Sequence, residues 1–571
     1  MGKVLFCADV DRIQEYVFES ARLPEIRGAS TLLSELEGDV FRQLDFEPDI
    51  IYAAGGRLLA VLPEEKAEGL SREIESLYLR RTKAVTITCA WMPLSEEEKS
   101  GYSNFCTYGE LGLLRRKLSD DEWRRVADFY RSGEGEISRE AYDDKRGFGQ
   151  MVTLLDAKLR QKKESRPTVP FYEAFPFAER CHSCRTRPAG EIEEIAGEER
   201  LLCPICHIKV KKGRKEKSLW IEHFEEHLKE EENLLAGYSV EYELDQVRIP
   251  KDLGEIGAAC RKPRPGYIGF IYADADSLGE FMAAQRTRED YKLKSKAVRR
   301  ATEKAVFRAI ASRLNPCIVE REEGEKVIIH PFEILTIGGD DVLLIVPGDA
   351  ALTVALEICQ LFAKYAPARS DGSPLSMSAG VVIADEHNPV RFLRDMAKEL
   401  LESAKSRALQ TVSQSGKWEG AVDFHILKSQ SMMAGTLKEL RGQPPYLISS
   451  PDGNGSNEEL RLTGRPYTLE EAERLLNTAH DFRKSGFPAS QLYALADALP
   501  KGRLVSTLFY LYQKARLRDD LRGVLARMEK DWKLRSDRDP APWVKVDGQG
   551  HKTILRDIAE LYDFITFAIT D

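Results

Sequence analysis

Ile334-Leu335-Thr336-Ile337-Gly338-Gly339-Asp340-Asp341-Val342-Leu343-Leu344-Ile345-Val346-Pro347 consists of two apolar, β-prone runs around a glycine pair, with two carboxylates behind it. The pattern predicts a β-hairpin, because glycine supplies the positive φ angles of a tight turn without a Cβ penalty. An earlier stretch, Ile51-Tyr52-Ala53-Ala54-Gly55-Gly56-Arg57-Leu58-Leu59-Ala60-Val61-Leu62-Pro63, has the same form. It carries Arg57-Leu58 where the later copy carries Asp340-Asp341.

The repeat extends outward from the hairpins. The apolar runs Val4 to Ala8 and Ile268 to Ala273 end in Asp9-Val10-Asp11 and Asp274-Ala275-Asp276, 265 residues apart. At the same offset Glu15-Tyr16 meets Glu280-Phe281, and Ser30 and Ser295 are each expected to open a helix. A third strand is expected in each copy, over Ala84 to Ala90 and over Ser376 to Ile383. Two domains of one βαββαβ design follow, with the Asp-x-Asp carboxylates at the C-terminal end of a buried strand.

The difference between the copies falls where chemistry would sit. Asp340 and Asp341 by themselves suit a Gly/Asp-rich turn. Set beside Asp274 and Asp276, they place like charges together, at about 4 kcal/mol per pair for a separation of about 4 Å and an effective dielectric of about 20. A bound divalent cation relieves that repulsion, so the second copy is expected to hold metal. Asp9 and Asp11 face a hairpin without acids and are expected to be structural or relic.

Ten cysteines in 571 residues are too few for a disulfide scaffold. Four of them, Cys181-x-x-Cys184 and, eighteen residues later, Cys203-x-x-Cys206, have the spacing of a structural zinc site. A rival set of Cys203, Cys206, His223 and His227 would leave Cys181 and Cys184 over. Cys203-Pro-Ile-Cys206-His207 mimics a haem attachment motif, but no export signal accompanies it. The adjoining run Lys209 to Lys217 is the densest basic stretch, either a solvated loop or an RNA contact.

Hydrophobic residues at 42% and charged residues at 31% describe a globular chain of several domains. The formal net charge of -9 means that the body as a whole does not attract a polyanion. The apolar start is cut short by Asp9 and no run of 18 apolar residues occurs, so a cytoplasmic location without membrane association is expected. Gln443 to Thr468, rich in Pro, Gly, Ser and Asn, reads as a linker or exposed loop. Thr468-x-x-Glu471 has the form of a capping box opening a helical C-terminal region. His480-Asp481 in that region reads as structural.

These residues resemble the large polymerase-like subunit of type III CRISPR effector complexes. The marks are Asp9-Val10-Asp11-Arg12-Ile13-Gln14-Glu15-Tyr16-Val17-Phe18, the Gly28-Ala29-Ser30 helix start, the cysteine module, Asp274-Ala275-Asp276 and Gly338-Gly339-Asp340-Asp341, in that order. The resemblance implies an α+β chain: a degenerate palm over 1–95, a helical insert with the four-cysteine zinc module over 96–260, a catalytic palm over 261–428 and a C-terminal helical domain over 429–571. The palms would be ferredoxin-like, of the nucleotide cyclase and polymerase kind.

The implied activity is condensation of ATP into cyclic oligoadenylate on target RNA binding, with two Mg2+ or Mn2+ ions. Asp274, Asp340 and Asp341 would hold the metals and act in catalysis. Gly338, Gly339, Ala275, Asp276 and Lys405 would meet the nucleotide, and Lys405 the triphosphate in particular. Partners would be the other effector subunits, guide RNA and target RNA; family members use the terminal domain to contact small helical subunits. Many members begin with a histidine-aspartate nuclease domain, whereas here the first palm strand is expected from Val4, so DNA cleavage is not expected. The alternatives are a catalytically silent scaffold, against which intact Asp340-Asp341 argues, and a diguanylate cyclase, against which Val342 and the tandem palms argue.

Overall fold

The structure, a computed structural model, describes residues 2–42, 46–94, 96–97, 101–102, 108–130, 136–165, 177–195, 198–214, 219–238, 241–261, 264–321, 324–428, 436–442, 446–451, 457–534, 541–546 and 550–565. They fall into two compact units. The first comprises 1–215, 277–301 and 337–340, and the second 216–276, 302–336 and 341–571.

The first unit is built on the sheet of β1 (Lys3–Val10), β2 (Asp49–Ala54), β3 (Arg57–Pro63) and β4 (Ile87–Leu94), in the order β2-β3-β1-β4. β1 lies antiparallel to both β3 and β4, and its five central residues, Val4 to Ala8, are fully buried. Helices α1 (Leu23–Arg42) and α2 (Glu64–Thr82) follow β1 and β3, and α3 (Phe148–Ser165) lies against β4 and β1. Phe148, Met151, Val152, Leu155 and Leu159 of α3 pack on Leu5, Cys7, Leu59 and Val61, which is the i, i+3, i+4, i+7 stripe expected of a helix laid on a sheet. Beyond α3 come the hairpin β5 (Glu191–Ile195) and β6 (Glu198–Leu202), then α4 (Pro204–Gly213).

The second unit is organised on a six-stranded sheet. Its central strand is β7 (Tyr267–Ala275), flanked by β9 (Asp341–Pro347) and β10 (Met377–Asp385), with β8 (Glu333–Gly338) beyond β9, β11 (Ala421–Leu427) beyond β10 and the short strand Tyr467–Thr468 on the outer edge of β11. β7 is antiparallel to both neighbours, and Met377 pairs with Ala275, so the C-terminal end of β7 meets the N-terminal end of β10. Helix α5 (Ala351–Tyr365) precedes β10, and α6 (Val390–Ser415) follows it. Pro389 stands at the N-cap of α6 and Gly416, at φ +69°, ends it by donating to the Val412 carbonyl at 2.8 Å.

Several local expectations shift. The third strands lie at Ile87–Leu94 and Met377–Asp385, slightly later than expected. Ser30 and Ser295 sit inside helices instead of opening them. α1 starts at Leu23, with Pro24 tolerated in the first turn, and Thr287 caps the later helix by accepting from the Asp290 amide at 3.0 Å. The stretch read as a linker contains the strands Leu447–Pro451 and Asn457–Arg461, an antiparallel pair completed by Gly550–Lys552 and Val544–Val546. Its loop-like residues 452–456 lie outside the described residues. The expected capping box is present: Thr468 accepts from the Glu471 amide, and the Glu471 side chain accepts from the Thr468 amide.

Candidate active site

The centre of the second unit lies at the C-terminal end of β7. Val342 pairs with Ala273, so the next rung of the ladder sets Asp341 beside Asp274 with both side chains on one face. Lys405 arrives from α6. Gly380 of β10 permits this, because a Cβ there would lie 2.1 Å from the Ala397 carbonyl oxygen and 2.4 Å from the Leu401 amide. Ala397, Leu401 and Lys405 succeed one another at i+4 along one helix face, so the close contact at Gly380 fixes where Lys405 ends. Its ammonium donates to the Asp274 carboxylate and, at 3.1 Å, to the Ala275 carbonyl.

Burial and the Asp274 charge push the Asp341 carboxyl up to about 7, against a lowering by the Tyr272 hydrogen bond and by Lys405 and Lys398. Paired carboxylates of which one resists ionisation, next to a backbone carbonyl, form an oxygen donor set that a hard divalent cation suits. Asp276 has a different setting. Its carboxylate accepts from Ser378 Oγ at 2.7 Å, its amide donates to the Ser376 carbonyl at 2.8 Å, and burial pushes it up to about 6. Its own carbonyl accepts from Arg369 at 2.9 Å, and that guanidinium lies 3.6 Å from the centre of the Trp418 ring.

Gly338, Gly339 and Asp340 belong to the first unit. Gly339 is left-handed at φ +87°, and a Cβ there would lie 2.8 Å from the Tyr52 hydroxyl. Burial raises the Tyr52 phenol, and the Asp340 carboxylate raises it further.

Residues 267–411 match the family described as Cas10/Cmr2, second palm domain. This region is similar to a Cas10/Cmr2 second palm. Solved structures with which the chain aligns include a Csm1–Csm4 cassette in complex with pppApA (13% identity, 99% of this chain and 69% of that one, TM-score 0.47) and Csm1 from T. onnurineus (14%, 99% and 69%, 0.48). A Csm1–Csm4 cassette in complex with cA4 aligns at 14% identity over 92% and 69%, TM-score 0.44. Among curated proteins no relative matches.

In the first palm the ladder corrects the hairpin alignment by one residue. Asp9 pairs with Arg57, so Arg57 occupies the rung that Asp341 holds in the second palm. Aligning the glycine pairs had set Arg57 against Asp340; strand register, which fixes the facing of every side chain, overrides that. Asp9 and Asp11 bond to Lys163 of α3 at 2.6 and 3.0 Å, and Asp11 also accepts from Thr86 and Thr88, each at 2.9 Å.

The cysteine module closes as its spacing predicts. The Sγ atoms of Cys181, Cys184, Cys203 and Cys206 lie within 4.8 Å of one another, and all four residues are buried. Among the described residues this is the one group of three or more ligating side chains that converges so closely. The 3.9 Å between the sulfurs of Cys184 and Cys203 matches the edge, about 3.8 Å, of a tetrahedron with Zn–S bonds of about 2.3 Å. α4 begins at this cluster and crosses α1 closely: a Cβ on Gly28 would lie 1.9 Å from the Lys209 carbonyl oxygen. That contact accounts for the glycine of Gly28-Ala29-Ser30.

Three basic residues of the run beside the module are paired within the chain. Lys209 is wholly buried, donating to Glu19 at 3.3 Å beneath the Tyr16 ring, Lys212 pairs with Glu35, and Arg214 pairs with Glu193 at 2.5 Å. Residues 215–217 of the run lie outside the described residues. Sequence reasoning missed Lys163, Arg369 and Trp418. A signal for Lys163 was present, since it lies fifteen residues into its helix, as Lys405 does into α6, but residues 95–147 separate that helix from its strand.

Proposed function

We propose that the chain is the polymerase-like subunit of a type III CRISPR effector complex, and that on target RNA binding its second palm condenses ATP into cyclic oligoadenylate. The observation that carries this reading is the convergence of the Asp274 and Asp341 carboxylates, the Ala275 carbonyl and the Lys405 ammonium at the end of β7. Two Mg2+ or Mn2+ ions, held by Asp274, Asp340 and Asp341, would neutralise the triphosphate and activate the 3′-hydroxyl.

The chain's own residues then divide the work. Lys405, relieved of Asp274, donates to the triphosphate, while Gly338 and Gly339 let a nucleotide approach backbone that bears no Cβ. Asp276, tied to Ser378 and Arg369, holds the strand end. The cysteine module binds structural zinc. With a net charge of -9, guide and target RNA are held largely by partner subunits.

The helix Arg503–Arg516 supports assembly with small helical subunits. Leu504, Leu508, Leu511 and Tyr512 lie 72%, 59%, 45% and 53% exposed at i, i+4, i+7 and i+8, one continuous apolar face.

The deciding experiment is incubation of the assembled complex with labelled ATP or GTP and Mg2+, with and without target RNA, followed by mass analysis. Cyclic adenylates that require target RNA and vanish in Asp340→Ala/Asp341→Ala are expected. Product from GTP alone would point to a diguanylate cyclase, and the absence of product to a scaffold.

A further inference from the structure

We infer that Lys163 is a resident counter-ion in the first palm, standing where a divalent cation would stand at carboxylates of this kind, and that this centre is metal-free. The two palms correspond in their contacts rather than in their motifs. In the second palm Lys405 binds the first carboxylate of Asp-x-Asp and the carbonyl of the residue after it, Asp274 and Ala275. In the first palm Lys163 binds the same two positions, Asp9 at 2.6 Å and the Val10 carbonyl at 3.3 Å. Both lysines lie fifteen residues into a helix packed on the third strand of their palm.

The surroundings then part ways. Lys405 meets one Asp-x-Asp carboxylate, with the Asp341 carboxyl one rung away. Lys163 meets two, Asp9 and, at 3.0 Å, Asp11. The rung beside Asp9 carries the guanidinium of Arg57, itself bonded to Asp156 of α3, and Arg160 acts on Asp156 from the same helix. Asp9, Asp11 and Asp156 are therefore faced by Lys163, Arg57 and Arg160, three charges of each sign. A dication entering this centre would meet no net negative field and would have to displace an ammonium held by two carboxylates and a carbonyl. The rung beside the Asp-x-Asp strand end bears a carboxyl in the second palm and a guanidinium in the first, so a cation finds a second acidic ligand in one palm and a like charge in the other.

The test counts Mn2+ on the full chain, with the second palm neutralised by Asp274→Asn/Asp340→Asn/Asp341→Asn and with the free ion followed by electron paramagnetic resonance. With Lys163 present, adding Asp9→Asn/Asp11→Asn is expected to leave Mn2+ binding unchanged. Lys163→Met is expected to gain one Mn2+ per chain, bound at least tenfold more tightly than anything there before, and to lose it again with Asp9→Asn/Asp11→Asn. Lys163→Gln, which keeps a hydrogen-bond donor, is the second variant, and circular dichroism checks that each is folded. One Mn2+ bound in the presence of Lys163 and removed by Asp9→Asn/Asp11→Asn would overturn the inference, as would a folded Lys163 variant that gains none. Neither readout depends on nucleotide condensation, so the inference and the proposed activity can fail separately.

Discussion

Lys405 and Asp274 are joined side chain to side chain, and the same ammonium holds the Ala275 carbonyl at 3.1 Å. The lysine thus occupies two oxygens that a metal and its nucleotide would need. Lys405→Met is expected to slow ATP condensation by about 10²-fold or more, about 2.7 kcal/mol, through loss of a positioned cation at the phosphates. The same variant should bind Mn2+ more tightly than the parent when no nucleotide is present, because Asp274 is released. Weaker Mn2+ binding in Lys405→Met would instead make the lysine a support of the carboxylate.

Asp341→Asn separates activity from stability. Asp341 is pushed up to about 7 by burial and by Asp274, so its charge works against the fold in the absence of a cation. The amide should abolish condensation, by about 10³-fold or more, yet raise the melting temperature measured without divalent ions. A variant both inactive and destabilised would show that the carboxylate is needed for packing.

The second palm was legible because its signal is local: an apolar strand ending in Asp-x-Asp and a glycine turn followed by acids each lie within a dozen residues. The cysteine set was legible for the same reason. Lys163 was not, since it reaches Asp9 from 154 residues away along the chain. Arg369 and Trp418 were not, since a cation over a ring has no fixed spacing. Register was the finer failure: glycine pairs align by eye, but the ladder sets Arg57, and not Leu58, on the rung equivalent to Asp341.

Glu37 should make the first palm sensitive to pH. Burial raises its carboxyl from an ordinary 4.5 to about 7, against a hydrogen bond from the Gly56 amide and the charge of Arg299. Between those values the folded chain holds a proton that the unfolded chain has lost, so this contribution is complete below about 4.5 and disappears as pH rises through about 7. Glu37→Gln stays neutral and can still accept from Gly56. Thermal unfolding should show the variant close to the parent at pH 5 and more stable at pH 8, by about 1–2 kcal/mol after allowing for partial exposure. A gap that does not widen with pH would refute the assignment.

Arg369 acts on the second palm through backbone. It donates to the Asp276 carbonyl at 2.9 Å and stacks on Trp418, while Ser378 holds the Asp276 carboxylate. Arg369→Met should cost about 1–2 kcal/mol of stability, from one charge-assisted hydrogen bond and one cation–π contact. Because Asp274 lies two residues upstream, Mn2+ affinity should fall severalfold as well. Trp418→Phe keeps a ring under the guanidinium and should recover most of the loss seen in Trp418→Ala; equal behaviour of the two would remove the stack from the account.

The exposed face of Arg503–Arg516 gives the last expectation, and it is one of assembly rather than chemistry. The helix is anchored by its other side, where Ser506, Thr507 and Tyr510 are buried and the Tyr510 hydroxyl donates to Glu529 at 2.9 Å. Leu504 and Leu508 take no part in that anchoring, so Leu508→Glu should change the stability of the isolated chain by no more than about 0.5 kcal/mol. In the assembled effector the same substitution would put an unpaired carboxylate against an apolar partner face, and a desolvated, unpartnered charge is costly. Retention of the small helical subunits on purification should therefore drop at least tenfold in Leu504→Glu/Leu508→Glu, while Leu508→Met, which keeps an apolar side chain of similar volume, should retain them. Full retention in the double variant would move the docking face elsewhere on the chain.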